Sequence, residues 1–571
     1  MSFLSRTKTA GRPRARATSQ ALLHVGMAAL LAHAIVVADV PVRADEALAR
    51  ATAQAIREEA LRPSGHPEGR ALPLACSWTC GHFPSPLSEG WSPTNQMRLI
   101  AEGHYLLPWF AHPEGKKQLG RRDPYYAAPM AMARALKLPI TLIGSQWEHY
   151  LSEKPYIDLS PRENPNVVTV EGRILPKVSP FGPVQPWFEV GRSWTDSPAM
   201  QQLQEWYPDP PLVIFLSNNE HAKLTWVDKE QDVRFIKAHG PDSDAAFRRA
   251  QIADGWIERY RALHSGFQDG LVNEKWRKHA MFFGYGAFGP PHFARWPGWV
   301  DYALATPGRI DPGPLMWDGG SPNYYTHDWD ASTDYKVWSP QIESMNYVFM
   351  IDEALQLNPR FWFEFSVWDG YDPDPERQKK HPSKRNLYRQ AGQVYDPERY
   401  KGFVQFGMWL MRPRAVRDFR GWVEPWPDKV EKDGRVVAEG GGPYFMAIVD
   451  AVDRVHDDPV LREWWRKGEL VANRTHPHPY QADVPPEYQD RDRWFLLDTS
   501  LDPPRPWKLD TELEVFALAL VRGTKPDRQW LIYAHAPTGE KKGVRVTIPD
   551  FEKSVIIDVP VGGDFNVVSE R

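Results

Sequence analysis

The sequence is poor in cysteine and has no excess of charge of either sign. Only Cys76 and Cys80 occur among 571 residues, which excludes a disulfide scaffold and a zinc site with four cysteine ligands. The 69 basic and 73 acidic side chains give a net charge of −4, so no basic surplus points to nucleic acid. Apolar residues make up 42% and charged residues 25%, values typical of globular proteins. An exported chain would permit Cys76 and Cys80 to pair, and two free thiols remain the alternative.

Motifs of several common enzyme classes are also absent. The sequence has no G-x-S-x-G nucleophile elbow and no P-loop. Asp328, Asp330, Ser332 and Asp334 have the spacing of a calcium loop, but the glycine and the closing glutamate of such a loop are missing. We therefore predict no metal and no cofactor.

Long hydrophobic runs are confined to the N-terminus. Basic side chains and no acids occur in residues 1–20, and residues 21–38 are mostly apolar. Small residues follow near Val42-Arg43-Ala44, in the order that is typical of a secretory signal. We predict a signal peptide over 1–44, a secreted or periplasmic protein, and no stable membrane insertion after cleavage. An uncleaved anchor is the alternative, because 18 residues approach the length of a membrane span.

Apolar runs then alternate with helical patterns and long loops, such as the proline-rich stretch 148–196. Continuous apolar strands that alternate with helices indicate a parallel sheet. Eight such units predict an α/β fold, a (β/α)8 TIM barrel over 70–480, with an open doubly wound sheet as the alternative. The eight strands are predicted at 71–78, 104–110, 139–147, 211–220, 279–288, 314–320, 359–370 and 401–411. Helices are predicted between them, among others at 197–207 and 244–267.

The pattern changes near the C-terminus. From about residue 490 the chain consists of short β runs joined by turn residues, and Val544, Val546 and Ile548 alternate with polar residues. We predict a small antiparallel β-sandwich over 490–571.

Two glutamates follow or lie within apolar strands of the predicted barrel. Glu220 comes directly after the fourth strand, and Glu364 lies in the seventh. A carboxylate buried alone is costly, so each is either paired or functional. Two carboxylates that face each other across a pocket can hydrolyse a glycosidic bond. The alternatives are a helix-start carboxylate for Glu220, a buried ion pair with an arginine for Glu364, and Asp318 or Asp369 as the second carboxylate.

The pair Asn219-Glu220 after a fourth strand, with Glu364 on a seventh, resembles the clan of retaining glycoside hydrolases with (β/α)8 barrels. The resemblance implies that Glu220 is the acid/base, Glu364 the nucleophile, and Asn219 a partner of the sugar 2-hydroxyl. It also implies a tyrosine near the sixth strand that binds the nucleophile, for which Tyr324 and Tyr325 are both candidates. The C-terminal sandwich resembles the accessory domain of many such enzymes, agarase-like ones among them.

Aromatic and histidine side chains near the predicted strand ends suit sugar binding. Aromatic rings stack on the apolar faces of sugars, although any single tryptophan could instead pack in the core. Basic side chains, of which Arg295, Arg412 and Arg414 are candidates, would be needed for an acidic or sulfated glycan. The predicted substrate-binding residues, with Asn219, are His82, Trp147, His221, Trp317, Tyr325, Trp368 and Trp409.

These features together predict a secreted retaining glycoside hydrolase that cleaves a polysaccharide or oligosaccharide by double displacement. Its partner would be the carbohydrate alone, with no nucleic acid. The alternatives are a non-catalytic carbohydrate-binding protein on a barrel scaffold, and a metal-dependent hydrolase or lyase on the same fold.

Overall fold

The protein is described here by a computed structural model. The structure describes residues 73–77, 104–106, 130–131, 133–145, 151, 159–218, 232–285, 313–321, 323–325, 354–368, 397–418, 429–432, 435–439, 442–472, 497, 499, 514–537, 539–551 and 553–571.

A curled parallel sheet forms the centre of the described part of the chain. Its strands are β1 (Leu74–Ser77), β2 (Tyr105–Leu106), β3 (Ile140–Ser145), β6 (Val213–Asn218), β7 (Ala280–Tyr285), β8 (Gly319–Ser321), β9 (Asn323–Tyr325), β10 (Trp362–Trp368) and β11 (Ala415–Asp418). Their order is β2-β1-β11-β10-β8-β7-β6-β3, with β9 also paired to β10. All of these pairings are parallel, and β1 contacts both the next strand, β2, and the last, β11. The fold is therefore TIM-barrel-like and α/β.

The two faces of this sheet bury different side chains. Val213, Phe215 and Phe282 belong to the large hydrophobic core that the sheet shares with the surrounding helices. Since successive side chains of a strand point to opposite faces, Leu216 and Phe283 point into the curled sheet. Both are fully buried there.

Nine helices are described. They are α1 (Gln185–Thr195), α2 (Pro198–Trp206), α3 (Val233–His239), α4 (Ala245–Gly270), α5 (Glu274–His279), α6 (Gly313–Met316), α7 (Pro397–Met411), α8 (Gly442–Asp457) and α9 (Pro459–Lys467). The helices predicted at 197–207 and 244–267 are confirmed as α2 and α4. At α2 the Ser197 side chain caps the helix by accepting a hydrogen bond from the Met200 N–H, and Pro198 follows it at the first helical position. Among the described residues no helix combines the length and the apolar character needed to cross a membrane.

Three segments differ from the predicted elements. Residues 401–411, predicted as the last strand, lie within helix α7, and the last strand of the sheet is β11 instead. With β8 and β9, which both pair with β10, counted as one barrel strand, β10 is the seventh and β11 the eighth. Residues 314–320, predicted as one strand, begin in the short helix α6 and end in β8. The stretch 148–196, predicted to be irregular, contains helix α1 and an antiparallel hairpin of β4 (Asn166–Val168) and β5 (Ile174–Val178).

Antiparallel sheets follow toward the C-terminus. After a hairpin of β12 (Lys429–Lys432) and β13 (Arg435–Glu439), a four-stranded sheet has the order β14-β15-β16-β19. Its strands are β14 (Glu469–Leu470), β15 (Phe516–Arg522), β16 (Gln529–His535) and β19 (Asp564–Ser569). A second pair, β17 (Lys541–Val546) and β18 (Val555–Val559), shares a hydrophobic core with it. The predicted antiparallel β structure is confirmed, and the predicted domain bounds stay predictions.

Candidate functional site

Glu364 is a buried carboxylate inside the TIM-barrel-like sheet. It is the third residue of β10, and its backbone is in register with Ala415 of β11. The neighbouring Phe363 belongs to the outer core that faces the helices, so Glu364 points to the inner face. Its side chain is 0% exposed. The strand pattern therefore places a carboxylate where the protein must supply its partners.

Arg417 supplies the principal partner of this carboxylate. It lies on β11, two residues beyond Ala415, and thus on the same face of the sheet as Glu364. Its Nε donates to Oε2 of Glu364 at 3.1 Å, and its Nη2 donates to the same oxygen. The guanidinium is also 0% exposed, so the two charges form a buried ion pair. This is the ion pair that the sequence left open as an alternative for Glu364.

Trp362 lies below this pair, toward the amino ends of the strands. Its indole Nε1 donates to Oε1 of Glu364 at 3.3 Å. The exposed Arg414 guanidinium lies 5.2 Å from the centre of the Trp362 ring, and the buried Phe283 ring, on the strand beyond β8, lies 6.4 Å from it. Trp362, which contacts Glu364, is therefore itself held between a cationic and an aromatic side chain.

Asp318 lies at the amino end of its strand, whereas the sequence predicted it at the carboxyl end. It directly precedes β8, and its Oδ2 accepts a hydrogen bond from the Phe282 N–H at 2.9 Å. Burial raises the pKa of this carboxyl group above its ordinary value, and the hydrogen bond from Phe282 partly opposes the rise in pKa. Catalytic groups of α/β barrels lie at the carboxyl ends of strands. The alternative that placed Asp318 at such an end is wrong, because the preceding residues are helical and the strand begins after it.

Two predicted sugar-binding tryptophans lie in the hydrophobic core. Trp317 is 2% exposed and packs 4.5 Å from the Tyr260 ring of α4. Gly284 leaves room for its indole, since a Cβ there would come within 2.8 Å of Nε1. Trp409 lies in helix α7, where it packs on Trp465 and Phe565. Both placements differ from the rim position expected from the sequence, and both fit the core-packing alternative.

The backbone of β9 and β10 brings two other predicted residues together. Trp368 ends β10 and is in register with Tyr325, which ends β9. Both therefore lie at the carboxyl edge of the sheet, where sugar-binding residues were predicted. The remaining predicted residues, His82, Trp147, Asn219, Glu220 and His221, lie outside the described residues, as do Asp369 and Arg295. Asn218, the last residue of β6, directly precedes Asn219 in the sequence.

The arginines considered for an acidic glycan have other contacts. Arg412 donates to the carbonyl oxygens of Trp465 and Gly468 at the end of α9. Burial lowers its pKa to about 10. Arg414 lies on Trp362, as described above. Arg417 was not singled out from the sequence. This residue lies two positions after Ala415, and the alternation of side chains along a strand places both on the inner face of β11.

Among the residues that the structure describes, no three His, Cys, Asp or Glu side chains lie close enough together to hold a metal ion.

No protein-family model matches this chain, and neither does any curated protein. Among solved structures the chain is similar to PbGH5A, a glycoside hydrolase family 5 enzyme from Prevotella bryantii B14, of which a mutant was crystallised with a xyloglucan tetradecasaccharide. The two chains are 9% identical with a TM-score of 0.29, and the match covers 70% of this chain and 98% of that chain.

Proposed function

We propose that this protein is a retaining glycoside hydrolase that acts on a polysaccharide or oligosaccharide. The observation that carries the proposal is the carboxylate of Glu364, which is fully buried on the inner face of the seventh strand of a TIM-barrel-like sheet. A carboxylate in such a place costs stability, and barrel enzymes carry their catalytic groups on these strands. The sequence also supplies a second glutamate, Glu220, directly after the fourth strand.

The proposed reaction is a double displacement. Glu364 attacks the anomeric carbon and forms an ester bond while Glu220 gives its proton to the glycosidic oxygen, which leaves as an alcohol. Glu220 then takes a proton from water, and the resulting hydroxide breaks the ester bond at the anomeric carbon. The second step restores the Glu364 carboxylate and the Glu220 acid. The anomeric configuration of the substrate is retained, because two inversions occur.

The remaining parts of the proposal concern the whole chain. A closed (β/α)8 barrel over 70–480 would carry the two glutamates, and a β-sandwich over 490–571 would follow it. Tyr325 and Trp368 would contribute to the sugar-binding edge, and Asn219 would bind the 2-hydroxyl. The basic and apolar segment over 1–44 supports export to the periplasm or the medium, where a polysaccharide substrate would be met.

Hydrolysis by glutamate variants tests this proposal. The purified protein is offered agarose, xyloglucan, xylan, mannan, carrageenan and alginate, and the release of reducing ends is measured. Glu364→Ala and Glu220→Ala should each lower kcat at least about 10⁴-fold, because each removes one half of the displacement. Asp318→Asn is the matched control, since an amide oxygen can still accept from Phe282, and it should retain the wild-type rate.

Azide then assigns the two roles. In Glu364→Ala, azide can attack only the substrate, so a glycosyl azide of inverted configuration should form. In Glu220→Ala, azide should attack the glycosyl-enzyme and give a product of retained configuration. Hydrolysis that survives in Glu364→Ala would contradict the proposal, and carbohydrate binding without hydrolysis by the wild-type protein would favour the binding-protein alternative.

A further inference from the structure

We propose that Arg417 is a positioning residue for the nucleophile, an arginine from the eighth strand that fixes the orientation of the Glu364 carboxylate for attack. The inference rests on the proposed function of Glu364.

The first argument is the geometry of the contact. Nε and Nη2 of Arg417 both donate to the same oxygen, Oε2 of Glu364. Arg417 comes from the next strand of the sheet, in register with Ser366, so its backbone is fixed by the pairing of β10 with β11. The second carboxylate oxygen, Oε1, receives the indole N–H of Trp362. Donors on two strands thus fix both the position and the plane of the carboxylate.

The second argument is energetic. A buried ion pair is weak evidence for stability, because apolar residues of similar volume are often equally or more stabilising. Among the other inward side chains of the described strands, Leu216, Phe283 and Ala415 are apolar and fully buried, and Thr141 is a fully buried hydroxyl without charge. The presence of both charges is explained if the carboxylate is needed for chemistry and the guanidinium for its orientation.

A purely structural pair predicts different behaviour. In that case the loss of Arg417 would lower the unfolding temperature and leave the turnover of the folded fraction unchanged. If Arg417 positions the nucleophile, the folded variant should bind substrate normally and turn it over slowly, because a displaced carboxylate costs rate more than affinity. A fall in kcat with an unchanged KM indicates the positioning role, whereas unchanged values of both in the folded variant indicate a purely structural role.

The experiment compares Arg417→Lys, Arg417→Met and the matched control Arg412→Met on the panel polysaccharide that the wild-type protein hydrolyses fastest. Arg412 is a partly buried arginine five residues earlier that contacts backbone carbonyls at α9 and the rings of Trp409 and Trp465, not Glu364, so its loss reports stability. Arg417→Lys should lower kcat about 100-fold with KM nearly unchanged, since lysine keeps the charge without the paired donors. Arg417→Met should lower kcat further. Arg412→Met should keep the wild-type kcat while its unfolding temperature falls.

Several results would overturn the proposal. A kcat within threefold of wild type in folded Arg417→Lys or Arg417→Met would do so. So would failure of both variants to fold when the uncharged pair Glu364→Gln/Arg417→Met folds, because Arg417 would then serve only to neutralise a buried charge. Activity that persists in Glu364→Ala would instead refute the proposed function itself, and the role of Arg417 would fall with it.

Discussion

His535 is a histidine buried completely among aromatic rings. Its side chain is 0% exposed, and its ring lies 4.7 Å from the Phe403 ring and 5.2 Å from the Phe516 ring. Within the described part of the chain, neither ring nitrogen has a hydrogen-bond partner. Burial lowers the pKa of His535 from 6.5 to about 3, because an imidazolium there would lose its hydration without compensation.

This burial predicts a loss of stability in acid. His535 stays neutral in the folded chain down to about pH 3, whereas in the unfolded chain it takes up a proton below about pH 6.5. The contribution of His535 is therefore fully present above pH 6.5 and is lost as the pH falls. Each pH unit below 6.5 should lower the free energy of unfolding by about 1.4 kcal/mol. Urea unfolding at several pH values between 7.5 and 5 measures this change in the free energy of unfolding.

A variant isolates this histidine from other titrating groups. His535→Phe keeps a ring in the cluster and cannot titrate, so its free energy of unfolding should fall less steeply with pH than that of the wild-type protein. His239→Gln, at an exposed position, should follow the wild-type dependence. Equal slopes for His535→Phe and the wild-type protein would show that another group controls acid stability.

Residues could be predicted from the sequence where burial alone decides their role. Glu364 was identified because a carboxylate within an apolar strand needs a partner, and the structure does provide one. Arg417 was missed because residues 415–418 were not predicted as a strand and because the contact depends on the register between β10 and β11. Trp317 and Trp409 were predicted to bind sugar at the strand ends but lie in the core. Their positions depend on the tertiary packing of neighbouring helices, which the sequence pattern does not specify.

At the scale of elements, helices α1 and α4 pack closely against each other. Gly191 on α1 and Gly266 on α4 lie where the two helices touch. A Cβ at Gly266 would collide with the carbonyl oxygen of Phe188, and a Cβ at Gly191 would collide with that of Leu263. Trp187 packs across the same interface on Trp256 and Tyr260. The glycines therefore set the distance between the helix axes.

Gly266→Ala should destabilise the protein although alanine is the better helix former. The added methyl group meets backbone atoms that cannot rotate away, so α1 and α4 must separate, at a cost of about 1–3 kcal/mol. The neighbouring Ser265 is exposed, and Ser265→Ala makes the control with the same new side chain. Chemical unfolding should show the loss for Gly266→Ala only. Equal stability of the two variants would mean that the helices do not approach as closely as described.

Helix α7 shows why one element was predicted with the wrong type. It is buried on most of its sides, so the apolar residues lack the period of an amphipathic helix. A short apolar run of that kind cannot be told from a buried strand by periodicity alone. The buried apolar side chains of α7 are Tyr400, Phe403, Val404, Phe406, Met408, Trp409, Leu410 and Met411. The strands β1, β2, β3, β6, β7 and β10 were predicted because turns and helices with clear signals flank them.

For the molecule as a whole, α7 joins the TIM-barrel-like sheet to the C-terminal β structure. The Tyr533 hydroxyl of β16 donates to the carbonyl oxygen of Gly402, and the Gln405 side chain donates to that of Gly562. The Phe403 ring packs edge-on against Phe516 of β15. Residues 52–571 form one compact unit.

The shared core predicts that the barrel and the C-terminal sheets unfold together. Calorimetry of the wild-type protein should show one transition, because separating the β sheets from α7 would expose the Phe403 contact to water. Phe403→Ala should lower the free energy of unfolding by about 3–5 kcal/mol and should shift that single transition as a whole. Val460→Ala on the exposed side of α9 should leave it in place. Two transitions, of which Phe403→Ala moves only one, would instead describe two domains that fold independently and merely touch at α7.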